Sequence, residues 1–355
     1  MTDPIYFDAR YIRIGHHDGV SRFSAGLCAA LTERTEVIAI IHDERQLEKL
    51  PIGIKHVKLT DPTNPLAEVF IARKLNALGA RLVFSPMQTM GSWGRKYKLV
   101  LTLHDLIYYA HPTPPPSFSW PIRLGWRLFH LTYVPQRIML NGADAIATVS
   151  QTTKSLIEKA RLTRKPVFVV YNAGAGKSQN TNRQPGKSLI YMGSFMDYKN
   201  VECLVDAMKV LPEFQLHLLS KISDSRRIEL ASRNEQAKDR IIFHNGVTDH
   251  EYHELLSQAF ALVSASKDEG FGIPVIEAME QGTPAIISDI KIFREIGGQA
   301  ASYFDPTNPA ELVARIRELE VTGEWKAKSL LSIQQSAKFN WEASAEALLK
   351  GLSDL

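Results

Sequence analysis

Short runs of apolar, largely β-branched residues alternate along this chain with longer stretches in which apolar residues recur at helical spacing. The runs predict strands at Ile5–Phe7, Glu36–Ile41, Arg81–Phe84, Leu99–Leu103, Ala145–Val149 and Val167–Val170. A second set follows at Leu189–Met192, Gln215–Leu219, Ile241–Phe243, Ala261–Val263, Ala285–Ile287 and Ser302–Phe304. Between them, Val201, Leu204, Val205 and Met208 illustrate the other period, falling at i, i+3, i+4 and i+7 on one helical face. Strand alternating with helix predicts an α/β protein whose parallel sheets carry helices on both faces.

The two strand sets are separated by Ala173–Lys187, a polar, aperiodic stretch rich in Gly, Asn and Gln that reads as a linker. With 355 residues the chain exceeds the size at which one core keeps growing, so two domains are expected. The predicted division is 1–172, linker 173–187, 188–338, and a terminal segment 339–355. Two such domains leave a cleft facing the carboxyl ends of their strands, where open α/β sheets bind ligands.

Composition narrows the class without naming a chemistry. The 45% hydrophobic and 23% charged content is that of a globular protein, which sets aside disorder and fibrous architecture. The charge of +4 and pI near 8.9 are mildly basic, and no run of like charges suggests a nucleic-acid arm. Cys28 and Cys203 lie far apart without metal-ligand spacing, so neither a disulfide framework nor a zinc site is expected, and a reducing cytoplasm is the natural compartment. The N-terminus does not read as a signal peptide, and no apolar run is long enough to span a bilayer.

The candidate chemistry gathers where strands give way to helices. Ala261–Val263 runs into Glu269-Gly270-Phe271-Gly272-Ile273-Pro274-Val275-Ile276-Glu277. Pro274 suits the start of a helix and Gly282 the position just past its end. Gly270 and Gly272 let the backbone approach a ligand, and N–H groups there, backed by the helix dipole, form an anion site suited to a diphosphate. Glu277, one turn into the helix, could accept bonds from ribose hydroxyls, and Glu269 lies on the loop tip where a sugar would project. A plain βα turn is the structural alternative. In Tyr191–Asn200, Asn200 is a good N-cap for the helix beginning at Val201, and Lys199 before that N-terminus is unfavourable unless an anion is held there. Leu99–Leu103 ends in His104-Asp105, where His104 could meet a sugar or place the acceptor and Asp105 could orient its ring. Gly15–Arg22 reads as a glycine-containing turn; its glycines, Gly15 and Gly19, would allow a substrate close, and Arg22 could meet a phosphate or an acidic acceptor, or be an exposed arginine on a turn.

Two stretches compete for attention. Gly174–Ser178 resembles a P-loop but is rejected, because Tyr171 stands where the motif needs its first glycine. Trp120–Leu140 mixes aromatic residues with Arg123, Arg127 and Arg137, and reads either as a helix packed on the core or as one lying on an anionic membrane surface.

The combination resembles the GT-B glycosyltransferases of family 4 over nearly the whole chain. Its parts stand in family order: Gly19–Phe23 (G-V-S-R-F), His104–Leu106 (H-D-L), Ala143–Ser150, Gly193–Asn200 (G-S-F-M-D-Y-K-N) and Glu269–Met279, the last a paired-glutamate motif. Phe339-Asn340-Trp341-Glu342 is similar to the start of the family's terminal helix, which returns to the N-terminal domain. The resemblance implies two Rossmann-like domains and retaining transfer of a hexose from a nucleotide-sugar donor to a glycan or lipid-linked saccharide, with no required metal or other cofactor. It implies that Lys199 neutralises the diphosphate, Glu277 holds the ribose, and Glu269 with the backbone of Gly270, Phe271, Gly272 and Ile273 holds sugar and phosphates. Val247 stands where the family's backbone meets the base, and His104 where a histidine lies near the sugar. Ser194 departs from the pattern, because many members carry Arg there.

The pattern is most similar to bacterial mannosyltransferases, which implies GDP-mannose, with a UDP-linked donor as the alternative. Rival readings are a GT-B binding subunit with weakened catalysis, for which Ser194 is the support, and a GT-B epimerase or phosphorylase. Partners implied are the donor, the glycan acceptor and a peripheral contact with the inner membrane; nucleic acid is not among them.

Overall fold

A computed structural model describes residues 3–15, 18–114, 118–174 and 184–355. The chain divides into two compact units, Met1–Ala173 with Trp341–Leu355, and Gly174–Asn340. Most of the predicted linker, 175–183, lies outside the described residues, as do His16 and His17 of the predicted turn and all of the rejected P-loop-like segment except Gly174.

The first unit holds β1 (Ile5–Asp8), β2 (Val37–Ile41), β3 (Lys55–Lys58), β4 (Leu82–Ser85), β5 (Lys98–Leu103), β6 (Ala145–Thr148) and β7 (Val167–Val169). They form one parallel sheet in the order β3-β2-β1-β4-β5-β6-β7. The second unit holds β8 (Ser188–Tyr191), β9 (Gln215–Leu218), β10 (Ile241–Phe243), β11 (Ala261–Ser264), β12 (Ala285–Ser288) and β13 (Ser302–Phe304), ordered β10-β9-β8-β11-β12-β13. Each predicted strand is present to within one residue at either end. The addition is β3, an edge strand of sequence Lys-His-Val-Lys with mostly exposed side chains.

In both sheets successive connections travel outward in opposite directions from a central pair, β1/β4 in one and β8/β11 in the other. Loops leaving such a pair diverge above the strand ends and open a crevice, the usual ligand position in doubly wound sheets.

A buried ionic cluster closes the first unit above β1. Arg10 Nε donates to Asp8 Oδ1 at 2.7 Å and its Nη1 to Glu68 Oε1 at 2.5 Å, while Ser85 Oγ donates to Asp8 Oδ2. Burial alone would lower the Arg10 pKa; the two carboxylates more than reverse this, so the guanidinium stays charged. The terminal helix Trp341–Ser353 belongs to the same unit: its Trp341 ring meets Phe23 at 6.2 Å, and Ser344 Oγ donates to the Tyr171 carbonyl.

Two readings of local structure change. Gly19–Arg22 is not a turn but the first turn of the helix Gly19–Thr32, capped by Asp18, whose carboxylate accepts from Ser21 N. Trp120–Leu140 is two helices, Trp120–His130 and Val134–Asn141, with Pro135 opening the second, and none of the residues of the first is buried. Its Trp126, Phe129 and His130 are half-buried while Trp120, Leu124 and Leu128 are exposed, so the first helix packs on the unit by one side only.

Gly26 lies on the Gly19–Thr32 helix directly beneath Trp341, where a methyl group would fall inside the indole ring. Gly26→Ala is expected to destabilise the first unit by about 1–3 kcal/mol through overpacking, seen as a lower urea midpoint; made in a Trp341→Ala background, the same change should have little effect.

Candidate active site

The loops after β8 and β11 leave adjacent strands and are stitched together in three places. Lys267 N donates to the Tyr198 carbonyl at 2.7 Å. Asn200 Nδ2 donates to the carbonyls of Ala265, at 3.2 Å, and Pro306, at 2.7 Å. Lys199 Nζ meets Glu269 Oε1 at 2.5 Å, with both side chains only about one-seventh exposed (13% and 14%).

These contacts correct three expectations. Asn200 precedes the helix Val201–Ala207 but its side chain does not cap it; the residue sits in the left-handed region (φ 52°, ψ 43°) and its amide spans neighbouring loops instead. Lys199, costly before a helix N-terminus without an anion, is accompanied by one of the protein's own, Glu269. And Glu269 is no free loop tip: Ser266 Oγ also donates to its Oε1 at 2.9 Å, and Ser266 is in turn 3.1 Å from Ser264 Oγ.

Beyond Glu269 the chain passes Gly270 and Phe271, both buried, and enters the helix Ile273–Glu280 through Gly272. Of the two glycines only Gly272 is left-handed (φ +101°), and a Cβ there would meet Phe293 at 2.9 Å, so the helix N-terminus is reached by a bend that no other residue fits easily. Phe271 packs edge-on to Phe339 at 5.8 Å. Glu277 is buried within this helix, and Gly282 (φ +67°) follows its end.

Across the β8 loop, the buried Tyr191 hydroxyl donates to the Ser194 carbonyl at 2.5 Å, leaving the Ser194 side chain exposed. Burial, with the Glu269 charge adding, holds the Tyr191 phenol well above its ordinary pKa, so it stays a donor. Gly193 N donates to Ser220 Oγ, and the next residue, Lys221, lays its stem against Gly246 (φ +105°), which precedes Val247.

In the first unit, His104 follows β5. Its Nε2 lies 2.7 Å from the Pro86 carbonyl and therefore carries the proton, and Phe23 packs edge-on to the ring at 5.2 Å. Burial lowers its pKa, so the imidazole is neutral near pH 7. Ring orientation comes from Pro86, while Asp105 Oδ1 accepts from Ile107 N. Gly19 and Arg22 stand in the first turn of their helix, with Arg22 N bonded to the Asp18 carbonyl.

Sequence reasoning singled out Lys199, Glu269, Gly270, Phe271, Gly272 and Ile273, which the structure gathers on two adjoining loops of one unit. It passed over Ser266 and the bracing role of Asn200. Ser266 was detectable, since Ser264 and Ser266 share one side of an extended segment leading to Glu269; the amide spanning to Pro306, more than a hundred residues away, was not. Among the described residues no group of three His, Cys, Asp or Glu side chains is placed to hold a metal ion.

Comparison with known proteins agrees with this architecture. The family described as "Glycosyltransferase Family 4" matches residues 17–173, and that described as "Glycosyl transferases group 1" matches 176–330. The O-antigen chain mannosyltransferase RfbU of Salmonella typhimurium is 28% identical over 62% of this chain, and a serotype-specific mannosyltransferase WbdA of Escherichia coli is 33% identical over 73%. The chain spans 60% of the first relative's length and 34% of the second's. Among solved structures, the sucrose-phosphate synthase of Thermosynechococcus elongatus superposes with a TM-score of 0.74 at 18% identity, covering 99% of both chains. Anabaena Alr3699/HepE, in complex with UDP-glucose, gives 0.74 at 17%, covering 99% of this chain and all of that one. With one family description accounting for each half and the fold shared end to end, the chain belongs to the GT-B glycosyltransferases of family 4.

Proposed function

We propose that this protein is a retaining glycosyltransferase that moves a hexose from a nucleoside-diphosphate donor to a glycan or lipid-linked saccharide, with mannose from GDP-mannose as the first donor to test. The observation that carries this reading is the Lys199–Glu269 pair, held by Ser266 beside a left-handed glycine that opens a helix. An ammonium has three donors. One is taken by Glu269, and two remain for diphosphate oxygens, next to the N-terminal dipole of the Ile273–Glu280 helix. Glu269 Oε1 receives Lys199 and Ser266, leaving Oε2 to a sugar hydroxyl. Glu277 takes the ribose, and Val247 lies by the base.

Transfer then proceeds on one face of the sugar. The bond from the anomeric carbon to the diphosphate oxygen breaks, and a bond to the acceptor oxygen forms on the same side. The acceptor's proton passes to the departing diphosphate. No carboxylate nucleophile is required, and no metal is required to hold the leaving group. Lys221 is a second cation available to offset Ser194, since the preceding residue, Ser220, is bonded to Gly193, just before Ser194. RfbU and WbdA, named as mannosyltransferases, support mannose as the sugar; the UDP-glucose in the Anabaena structure supports a UDP-linked donor as the second reading.

Donor identity is settled by a thermal-shift panel of GDP, UDP, ADP and their sugars, run in EDTA. Ligand at about 100 times its Kd stabilises the fold by about 2.7 kcal/mol, so GDP and GDP-mannose should raise Tm most; a rise with UDP compounds alone would replace the donor, and no rise with any would sink the nucleotide-sugar reading. Lys199→Ala and Glu269→Ala should each lower kcat on the order of 10²–10³-fold, and Lys221→Ala less, in an assay following nucleotide release; unchanged turnover in both of the first two refutes the assignment, and absent release from the wild type with every sugar nucleotide favours a binding subunit.

His104 supplies a pH test. Its pKa is depressed, so the ring loses its proton below pH 6.5, and activity that needs the neutral ring should fall only when pH drops through that lower value. An acidic limb of kcat/KM below pH 6.5 that is absent in His104→Gln is the expected profile; an unaltered limb in the variant removes His104 from the reaction.

A further inference from the structure

On the first unit, Trp93 keeps 64% of its surface in water and Phe70 45%. Both rings meet one cation: the Arg73 guanidinium carbon lies 5.0 Å from the Trp93 ring and 5.4 Å from that of Phe70. Phe70, at the N-cap of the helix Ile71–Ala77, and Arg73, three residues on, are neighbours by helical spacing.

Trp93 reaches them on the loop between β4 and β5, and that loop is braced. Gly91 lies so close to the helix Pro65–Val69 that a Cβ there would fall on the Glu68 carbonyl, and Glu68 is itself held by Arg10. Asn76 Nδ2 donates to the Gly94 carbonyl at 2.8 Å, and its Oδ1 accepts from Lys96 N at 2.8 Å. A large ring held outward on a braced loop is preorganised, so little ordering is left for a partner to bring about.

The cation narrows what that partner is. Among the described residues Arg73 meets the two rings and no carboxylate. From Val69 to His104 the sequence contains no Asp or Glu. The occupant has to bring C–H surface to an electron-rich ring face and, beside it, oxygen acceptors to the guanidinium. A hexopyranose does both, with C–H groups on one face and hydroxyl oxygens around its rim, adjacent pairs of which suit the arginine fork. An aliphatic partner would leave the guanidinium unanswered, and an acidic side chain would leave the rings. A second copy docked by two-fold symmetry would bring Arg73 toward its own mate, with no acid in the segment to offset them.

The same loop begins at Pro86, whose carbonyl sets the His104 ring. Seven residues of chain span at most about 25 Å, so an oligosaccharide seated on Trp93 keeps its end within reach of His104.

We propose that Trp93, Arg73 and Phe70 form a second saccharide site on the side of the first unit, which holds the body of an oligosaccharide acceptor while its end residue reacts. Holding the chain there raises the effective concentration of that end. The inference rests on the glycan acceptor of the proposed function, and it is independent of the donor.

The full chain is titrated with mannose, glucose, and manno- and gluco-oligosaccharides of increasing length. Binding is followed by saturation-transfer NMR on the saccharide, a readout that does not need the tryptophan. Affinity is expected to rise with chain length. Trp93→Ala and Arg73→Ala should each weaken oligosaccharide binding on the order of tenfold, the scale of one aromatic or charge-assisted contact, while Trp93→Tyr, which keeps a ring, should retain most of it. Both side chains are exposed, so Tm, and its rise with nucleotide, should match the wild type and show that each variant is folded. Absence of saccharide binding by the wild type, or equal binding by wild type and both folded alanine variants, overturns the proposal. So does a dimer in gel filtration that Trp93→Ala dissociates while no saccharide binds, since the rings would then cover a second copy of the chain. Saccharide binding that depends on Trp93, without a Tm rise from any nucleotide, keeps this site and removes the nucleotide-sugar reading instead.

Discussion

The second unit depends on one asparagine held in a conformation that most residues avoid. Asn200 occupies the left-handed region immediately after Lys199, and its single amide nitrogen bonds the ends of the β11 and β13 loops together. An amide has two N–H donors, and both are spent on carbonyls. Glycine would take the same backbone angles without joining anything, and aspartate would have no donor to offer. The left-handed bend also decides where Lys199 points: reversing the chain between a 3-10 turn (Asp197–Lys199) and a helix leaves the lysine on the side of β11, within reach of Glu269. The position of the cation is thus a consequence of backbone geometry one residue later.

Why a lysine and a glutamate should be paired between these two loops follows from the cost of burying either alone. Each side chain is largely withdrawn from water, and an unpaired charge there would carry a desolvation penalty of several kcal/mol. Pairing removes most of that penalty while leaving both groups incompletely satisfied, the ammonium short of acceptors and the carboxylate short of donors. In the proposed function a nucleotide sugar would bring the two complements together, phosphate oxygens and sugar hydroxyls. Ser266 fixes the carboxylate from behind, so little reorganisation is left for the moment of binding or reaction. In that proposal the pair serves as preorganisation more than as stability.

The strands were legible because buried parallel strands are runs of β-branched and aliphatic residues, a signal that survives without any tertiary knowledge. Lys55–Lys58 escaped for the opposite reason: an edge strand guarded by lysines carries little apolar pattern, because its task includes refusing further partners. The glycine and glutamate spacing of 269–277 was equally visible, since local backbone demands leave local residue choices. What could not be read was every relation that closes over a long span. Asn200 has the residue type of a helix cap, and only contacts to Ala265 and Pro306 divert it from that role. His104 has a neighbouring aspartate that looks like its orienter, yet the ring is set by Pro86, brought alongside by the pairing of β4 with β5. Composition likewise showed that Trp120–Leu140 mixes aromatic and basic residues without showing which side faces the protein.

That last ambiguity has a physical resolution in the aromatic residues. A helix carrying apolar residues on two sides can be placed either way, and the free energy of burying the larger, ring-bearing side decides. Trp126 and His130 interlock with Tyr108 and Tyr109, contacts whose geometry a row of leucines cannot reproduce. The leucine row is left outward, with Arg123 and Arg127 along its edge.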